Sequence, residues 1–179
     1  LNSRITRTAG TVTSGKVAAA ATGGIGLATA GNRLQTSTSF LQVGGLSIQP
    51  QGGVLAAVDN AGDDFIENVG RVAMQLAGVN SNGSIDVTQD ATDLTVNQFA
   101  AGNFDFAPAG GQSAVSITSS AQDGVNTLAA GETISLLTTT AGDIVVARDV
   151  VTNAGAIGLV SAEDIALAND ITTGSAVNG

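Results

Sequence analysis

One short unit recurs along this chain and limits what it can fold into: an apolar residue, any residue, a second apolar residue, then a turn rich in Gly, Asn, Asp, Ser and Thr. From residue 85 it reads Ile85-Asp86-Val87, Leu94-Thr95-Val96, Phe104-Asp105-Phe106 and Val115-Ser116-Ile117, followed by a looser copy over 125–128. It continues as Ile134-Ser135-Leu136, Ile144-Val145-Val146, Ile157-Gly158-Leu159 and Ile165-Ala166-Leu167. Alternation over three residues makes a short strand with one face turned inward. Taken two at a time, the units return after 19, 21, 19 and 21 residues, from 85 to 104, 125, 144 and 165. Residues 143–152 lie over 164–173 almost literally, at an offset of 21.

A spacing near ten residues suits an antiparallel sandwich or barrel. A return near twenty suits a parallel β-solenoid, whose strands stack about 4.8 Å apart. The units are shorter than sandwich strands, which run to about 5–6 residues. Hairpin turns are scarce, with only Asn82-Gly83 preceding a strand, and the inward residues are Ile, Val and Leu with Ala and Gly at the corners. The spacing therefore predicts an all-β, parallel solenoid of about 20 residues per coil. Residues 81–179 form its regular part. Residues 1–80 are an irregular N-terminal β region of the same continuous domain, with Ile25-Gly26-Leu27, Leu41-Gln42-Val43, Leu46-Ser47-Ile48 and Val54-Leu55 between Gly-Gly turns. One helix is predicted over 64–77, because Phe65, Ile66, Val69, Val72, Ala73 and Leu76 fall at helical spacing behind Asp63 and Asp64. Gly70 costs that helix roughly 1 kcal/mol. Two further strands, Phe65-Ile66 and 72–76, are the alternative.

Composition excludes several functions. The 179 residues include no Cys, His, Trp or Tyr, so no Ser-His-Asp triad, thiolate nucleophile or His/Cys metal site can be built. No enzyme activity and no cofactor is expected. The net charge of −9 argues against nucleic acid. Residues 1–58 carry Arg4, Arg7, Lys16 and Arg33 with no acid, whereas 59–179 carry all 15 acids against Arg71 and Arg148. That partition suggests a rod with oppositely charged ends. Residues 34–58 are uncharged, yet their Gly, Gln, Ser and Thr do not suit a membrane helix, and no Trp or Tyr exists for the girdles of a barrel. No membrane insertion is expected. The chain opens at Leu1 without a signal sequence and stops in mid-pattern, which reads as a piece of something longer. A Cys-free composition fits export.

Residues 142–174 resemble the repeats of the filamentous haemagglutinin family of two-partner-secretion adhesins and, more loosely, autotransporter passengers. The residues that carry this are Gly142-Asp143-Ile144-Val145-Val146, Asp149-Val150-Val151-Thr152-Asn153-Ala154-Gly155, Ile157-Gly158-Leu159 and Glu163-Asp164-Ile165-Ala166-Leu167. The resemblance implies a right-handed parallel β-helix, an extracellular place on the bacterial cell surface, and a role as stalk, fibre or adhesin. It further implies self-association into filaments or continuation in a longer chain, and a host or surface glycan or protein as receptor. The family's N-terminal secretion motif is not visible, and the segment over 65–77 departs from the repeat. The alternative function is a carbohydrate-binding or carbohydrate-active β-helix, which the supply of only five aromatic residues, all Phe, disfavours.

Four groups of residues invite a chemical role. Asp86, Asp90 and Asp93, with Asp63 and Asp64, are oxygen ligands of the kind Ca²⁺ takes, but their spacing matches no calcium loop, so turn capping is the preferred reading. Gly23-Gly24-Ile25-Gly26 lacks the Gly-Lys-Ser/Thr of a phosphate loop and reads as a turn. Arg148 with Asp149 and Asp143 resembles the Arg base of β-helix polysaccharide lyases less than it does a solvated strand edge. Thr138-Thr139-Thr140 lacks the regular Thr-x-Thr of an ice-binding face. No catalytic, cofactor or metal residue is assigned. The stack predicts Ile144, Val146, Ile157, Leu159, Ile165 and Leu167 as inward, so that Ile165→Asp destabilises while Ala166→Asp is tolerated.

Overall fold

A computed structural model describes residues 3–50, 56–99, 102–106, 115–119 and 122–174. Within them the chain is all-β. It begins with β1 (Val12–Thr13) and β2 (Val17–Ala19), then β3 (Leu34–Ser37) and β4 (Phe40–Val43). An excursion follows, β5 (Leu46–Pro50) and β6 (Ala56–Val58), before β7 (Asp64–Asn68), β8 (Met74–Asn80), β9 (Ile85–Asp90) and β10 (Leu94–Val96). A second excursion carries β11 (Gln98–Phe99), β12 (Gly102–Phe106), β13 (Val115–Ser119) and β14 (Gln122–Asp123). The chain then runs through β15 (Val125–Ala130), β16 (Ile134–Thr139), β17 (Ile144–Val146) and β18 (Val150–Asn153). It ends with β19 (Ile157–Val160), β20 (Ile165–Leu167) and β21 (Ile171–Thr172).

Two curled parallel sheets dominate. One has the order β1-β3-β7-β9-β16-β19. The other runs β20-β17-β10-β8-β15-β18-β21, with β4 against β8 and β2 against β4. The chain passes from the first sheet to the second and back, and each pass, or circuit, lies on the one before. Equivalent residues of adjacent circuits pair directly: Ile5 with Ile25, Asp64 with Ile85, Ile144 with Ile165, Val150 with Ile171. Inward side chains therefore stack in columns. One contains Val17, Leu41, Leu76, Val96, Val146 and Leu167. Another contains Leu34, Ile66, Val87, Leu136 and Leu159. These columns meet in one aliphatic core.

The helix predicted over 64–77 is absent. Asp64, Ile66 and Asn68 face inward from β7 while Phe65 and Glu67 face outward, a period of two. Arg71, at a φ of 50°, turns the chain in the left-handed region that an α-helix cannot accommodate, and β8 starts three residues later. The apolar residues at helical spacing are a mixture: Ile66 and Leu76 are core residues of two different strands, and Val72 lies 49% exposed on the turn between them. Paired neighbours on both sides of each strand supply the backbone partners that a helix would have found within itself.

The regular return also breaks once. Phe104 does not stack on Ile85, whose partners are Asp64 and Ile134. Strands β12 and β13, which hold the Phe104 and Val115 units, belong to an antiparallel sheet of order β12-β13-β5-β6 beside the parallel stack. Both excursions thus leave the stack and pair with each other. The Val54-Leu55 unit lies outside the described residues.

Candidate functional site

The acids singled out in the sequence sit at corners between circuits, and most of them cap backbone N–H groups. The capped group belongs to the next circuit rather than to the acid's own turn. Asp93 Oδ1 accepts from Asp143 N–H at 3.1 Å, and Asp143 Oδ1 from Asp164 N–H at 2.9 Å. Asp149 Oδ1 accepts from Asp170 N–H at 3.3 Å, and Asp63 Oδ1 from Ser84 N–H at 3.0 Å. The sequence hides this ladder because residues 21 or 50 apart are brought together only by the stacking. Asp90 accepts from the Thr139 and Thr140 hydroxyls. Among the described residues, no group of three acids stands as a metal site.

Asp86 is held differently. Arg33 grips it from two circuits away, with Nη2 to Oδ1 at 2.6 Å and Nη1 to Oδ2 at 3.2 Å. The same Nη2 reaches the Ile66 and Asp86 carbonyls at 3.2 and 3.0 Å. The guanidinium also lies 5.8 Å from the centroid of the Phe65 ring, on the intervening circuit. One side chain therefore ties three circuits together on the outer face of the first sheet. No pattern in the sequence pairs Arg33 with Asp86, 53 residues away.

A second ladder is internal. Thr36, Asn68, Gln89 and Thr138 share one column at the end of the first sheet, and all are buried. Thr36 donates to Asn68 Oδ1 at 3.0 Å, Asn68 Nδ2 to Gln89 Oε1 at 2.8 Å, and Gln89 Nε2 to the Thr92 hydroxyl and the Val72 carbonyl. Thr138 closes its own corner on the Gly142 carbonyl at 2.8 Å. Each side chain satisfies backbone groups where the chain turns between sheets, as buried polar groups must. Thr138, Thr139 and Thr140 thus serve different partners and present no common face.

The remaining candidates are structural too. Gly24 and Gly26 have φ values of +87° and +66°, and a Cβ on either would overlap the Asp63 or Phe65 carbonyl of the circuit above. They are the tight corner that lets Ile25 bridge to Asp64. Arg148 pairs with Asp123 at 3.0 Å, with both side chains well exposed, while its neighbours Asp143 and Asp149 are taken up as caps. Of the two described Phe side chains, Phe65 carries the Arg33 guanidinium and Phe40 is half-buried. A cleft between the flanking sheet and the stack is lined by Leu46, Val58 and Leu128 with Asp59 and Ser81 at its rim, and contains no aromatic residue.

The last described circuit stands apart. Leu41, Leu76, Val96 and Val146 are fully buried in their column, but Leu167 is 60% exposed, and Ile165 is 44% exposed above a fully buried Ile144. The inward parity of Ile165 and Leu167 holds, and what they lack is a neighbour above. Ile157 and Leu159 are only partly covered for the same reason. Asp164 and Asp170 lie over Asp143 and Asp149, at the positions where an aspartate of the circuit below accepts an N–H. No protein-family model, curated protein or solved structure matches the chain.

Proposed function

We propose that the chain is a non-enzymatic structural segment of a secreted bacterial surface fibre or adhesin stalk, wound as a right-handed parallel β-helix of about 20 residues per coil. The observation that carries this reading is the set of columns that run unbroken through successive circuits and reach a last circuit whose apolar side chains are uncovered. In such a stack each circuit contacts only its neighbours, so stability is a sum over interfaces and length is gained by adding circuits. The next layer is either a continuation of the chain or the first circuit of another copy. Corner aspartates supply register, since Asp164 and Asp170 are placed to accept the N–H groups of whatever layer follows.

Negative-stain microscopy of the purified protein tests the reading. Rods or filaments are expected, and compact particles at all concentrations would overturn it. Antibody labelling of intact producing cells tests the extracellular location. A glycan array with strong, selective binding would favour the carbohydrate-binding alternative.

A further inference from the structure

One column of the first sheet reads Ile5, Ile25, Asp64, Ile85, Ile134, Ile157. An acid occupies the third place in a stack of isoleucines. Asp64 and both of its neighbours in the column, Ile25 and Ile85, have no exposed surface. Asn60 and Asn80 hold it from the side, with Nδ2 donors 2.7 and 2.8 Å from Asp64 Oδ2. Their orientation is fixed by the backbone, because Asn60 Oδ1 accepts from Ala21 N–H and Asn80 Oδ1 from Asn82 N–H. Asp64 Oδ1 has no hydrogen-bond partner among the described residues. This pocket suits a neutral carboxylic acid better than a carboxylate: the charge would be desolvated, uncompensated and only half hydrogen-bonded.

We propose that Asp64 is a proton-operated seam in the stack: protonated, it lets the second and third circuits close on each other, and ionised, it draws water into the Ile25–Asp64–Ile85 column and loosens that contact. Burial pushes the Asp64 carboxyl up to about 7, against the donor bonds from Asn60 and Asn80 and the Ile25 N–H, with repulsion from Asp63 adding to the rise. The other charged groups around this corner are engaged elsewhere. Asp59 bonds the Ser81 hydroxyl, Arg4 donates to the Gly26 and Asp63 carbonyls, Asp86 is gripped by Arg33, and Glu132 accepts from the Ser84 hydroxyl. None of them bonds Asp64.

The sign follows from linkage. With its folded pKa above the unfolded value of 3.8, Asp64 takes up a proton on folding. Its stabilising contribution is complete below the unfolded value, declines as pH rises towards 7, and is gone above that. Between about pH 5 and 7, the opening equilibrium read by hydrogen exchange at the Ile25, Phe65 and Ile85 amides should rise roughly tenfold per pH unit, then level off. The ¹³Cγ resonance of Asp64 should titrate near neutrality in the wild-type protein. In Asp64→Asn, which keeps the shape without the proton, exchange corrected for intrinsic rates should be flat across this window. A midpoint below pH 5 for the Asp64 carbon would overturn the proposal, as would a wild-type opening that ignores pH. If Asp64→Asn does not fold, the two wild-type measurements still decide.

Discussion

At the residue scale, the polar side chains of this protein mostly join one circuit to the next. Arg33 is the clearest case, since its guanidinium bonds Asp86 and the Ile66 carbonyl while covering Phe65. Arg33→Met keeps the length of the side chain and removes the fork. The Arg33 and Asp86 side chains are only 15% and 30% exposed, so the loss exceeds that of a surface ion pair, and we expect roughly 1–3 kcal/mol of destabilisation. Chemical denaturation measures it. Arg33→Lys should recover only part, because an ammonium cannot span both Asp86 oxygens in the same plane. Little of this was legible in the sequence. Turn capping was correctly inferred for the aspartates from their type and their Gly-rich neighbours, but partners 21 to 53 residues away follow from stacking register, and three-residue strands with variable turns do not fix that register in advance.

At the scale of elements, burial within a column separates residues that look alike in sequence. Ile144 and Ile165 occupy equivalent places, yet Ile144 has a neighbour above and below while Ile165 is 44% exposed. Ile144→Ala should cost about 2–5 kcal/mol, in the range of fully buried aliphatics, and Ile165→Ala less than about 1 kcal/mol. Equal losses in a denaturant titration would mean that Ile165 is covered in solution. The sequence identified the inward face of these strands because a side-chain period of two survives wherever one face is buried. For that reason it could not separate Phe104 and Val115 from true members of the stack. An antiparallel strand with one covered face alternates just as a parallel one does, and alternation carries no information about the direction of the partner. The helical reading of 65–76 failed for a related reason: two short strands and their turn, laid end to end, reproduced a 3.6-residue spacing by accident of turn length.

The two excursions show which elements the stack requires. Three residues join Val146 to Val150, and three join Leu167 to Ile171, whereas the equivalent step from Val96 to Val125 carries β11 to β14. Replacing residues 97–124 by Ala-Arg-Asp, the tripeptide found after Val146, should therefore close the fourth circuit in the manner of the fifth. We expect a cooperative melt to persist and amide protection at Leu94, Ile144 and Val150 to be retained. Loss of protection at those three positions would show that the flanking antiparallel sheet braces the stack.

At the scale of the whole molecule, charge is sorted along the stacking direction. The first circuit carries Arg4, Arg7 and Lys16 with no acid, and the last described circuit carries Glu163, Asp164 and Asp170 with no base. A second copy placed on the last circuit would bring these groups face to face while covering Leu167 and Ile165, so apolar burial and charge act in the same direction. Their contributions separate by ionic strength. Raising salt from about 0.01 to 1 M shortens the screening length from about 30 to about 3 Å and strengthens rather than weakens apolar contact. If the ends attract, sedimentation should show end-to-end association at low salt that declines as salt rises. Leu167→Asp should remain monomeric throughout, with an unchanged melting temperature because Leu167 is 60% exposed in the single chain. Association that grows with salt would assign the contact to the apolar columns alone. Association undiminished by Leu167→Asp would place it on another surface and remove the last circuit as the site of growth.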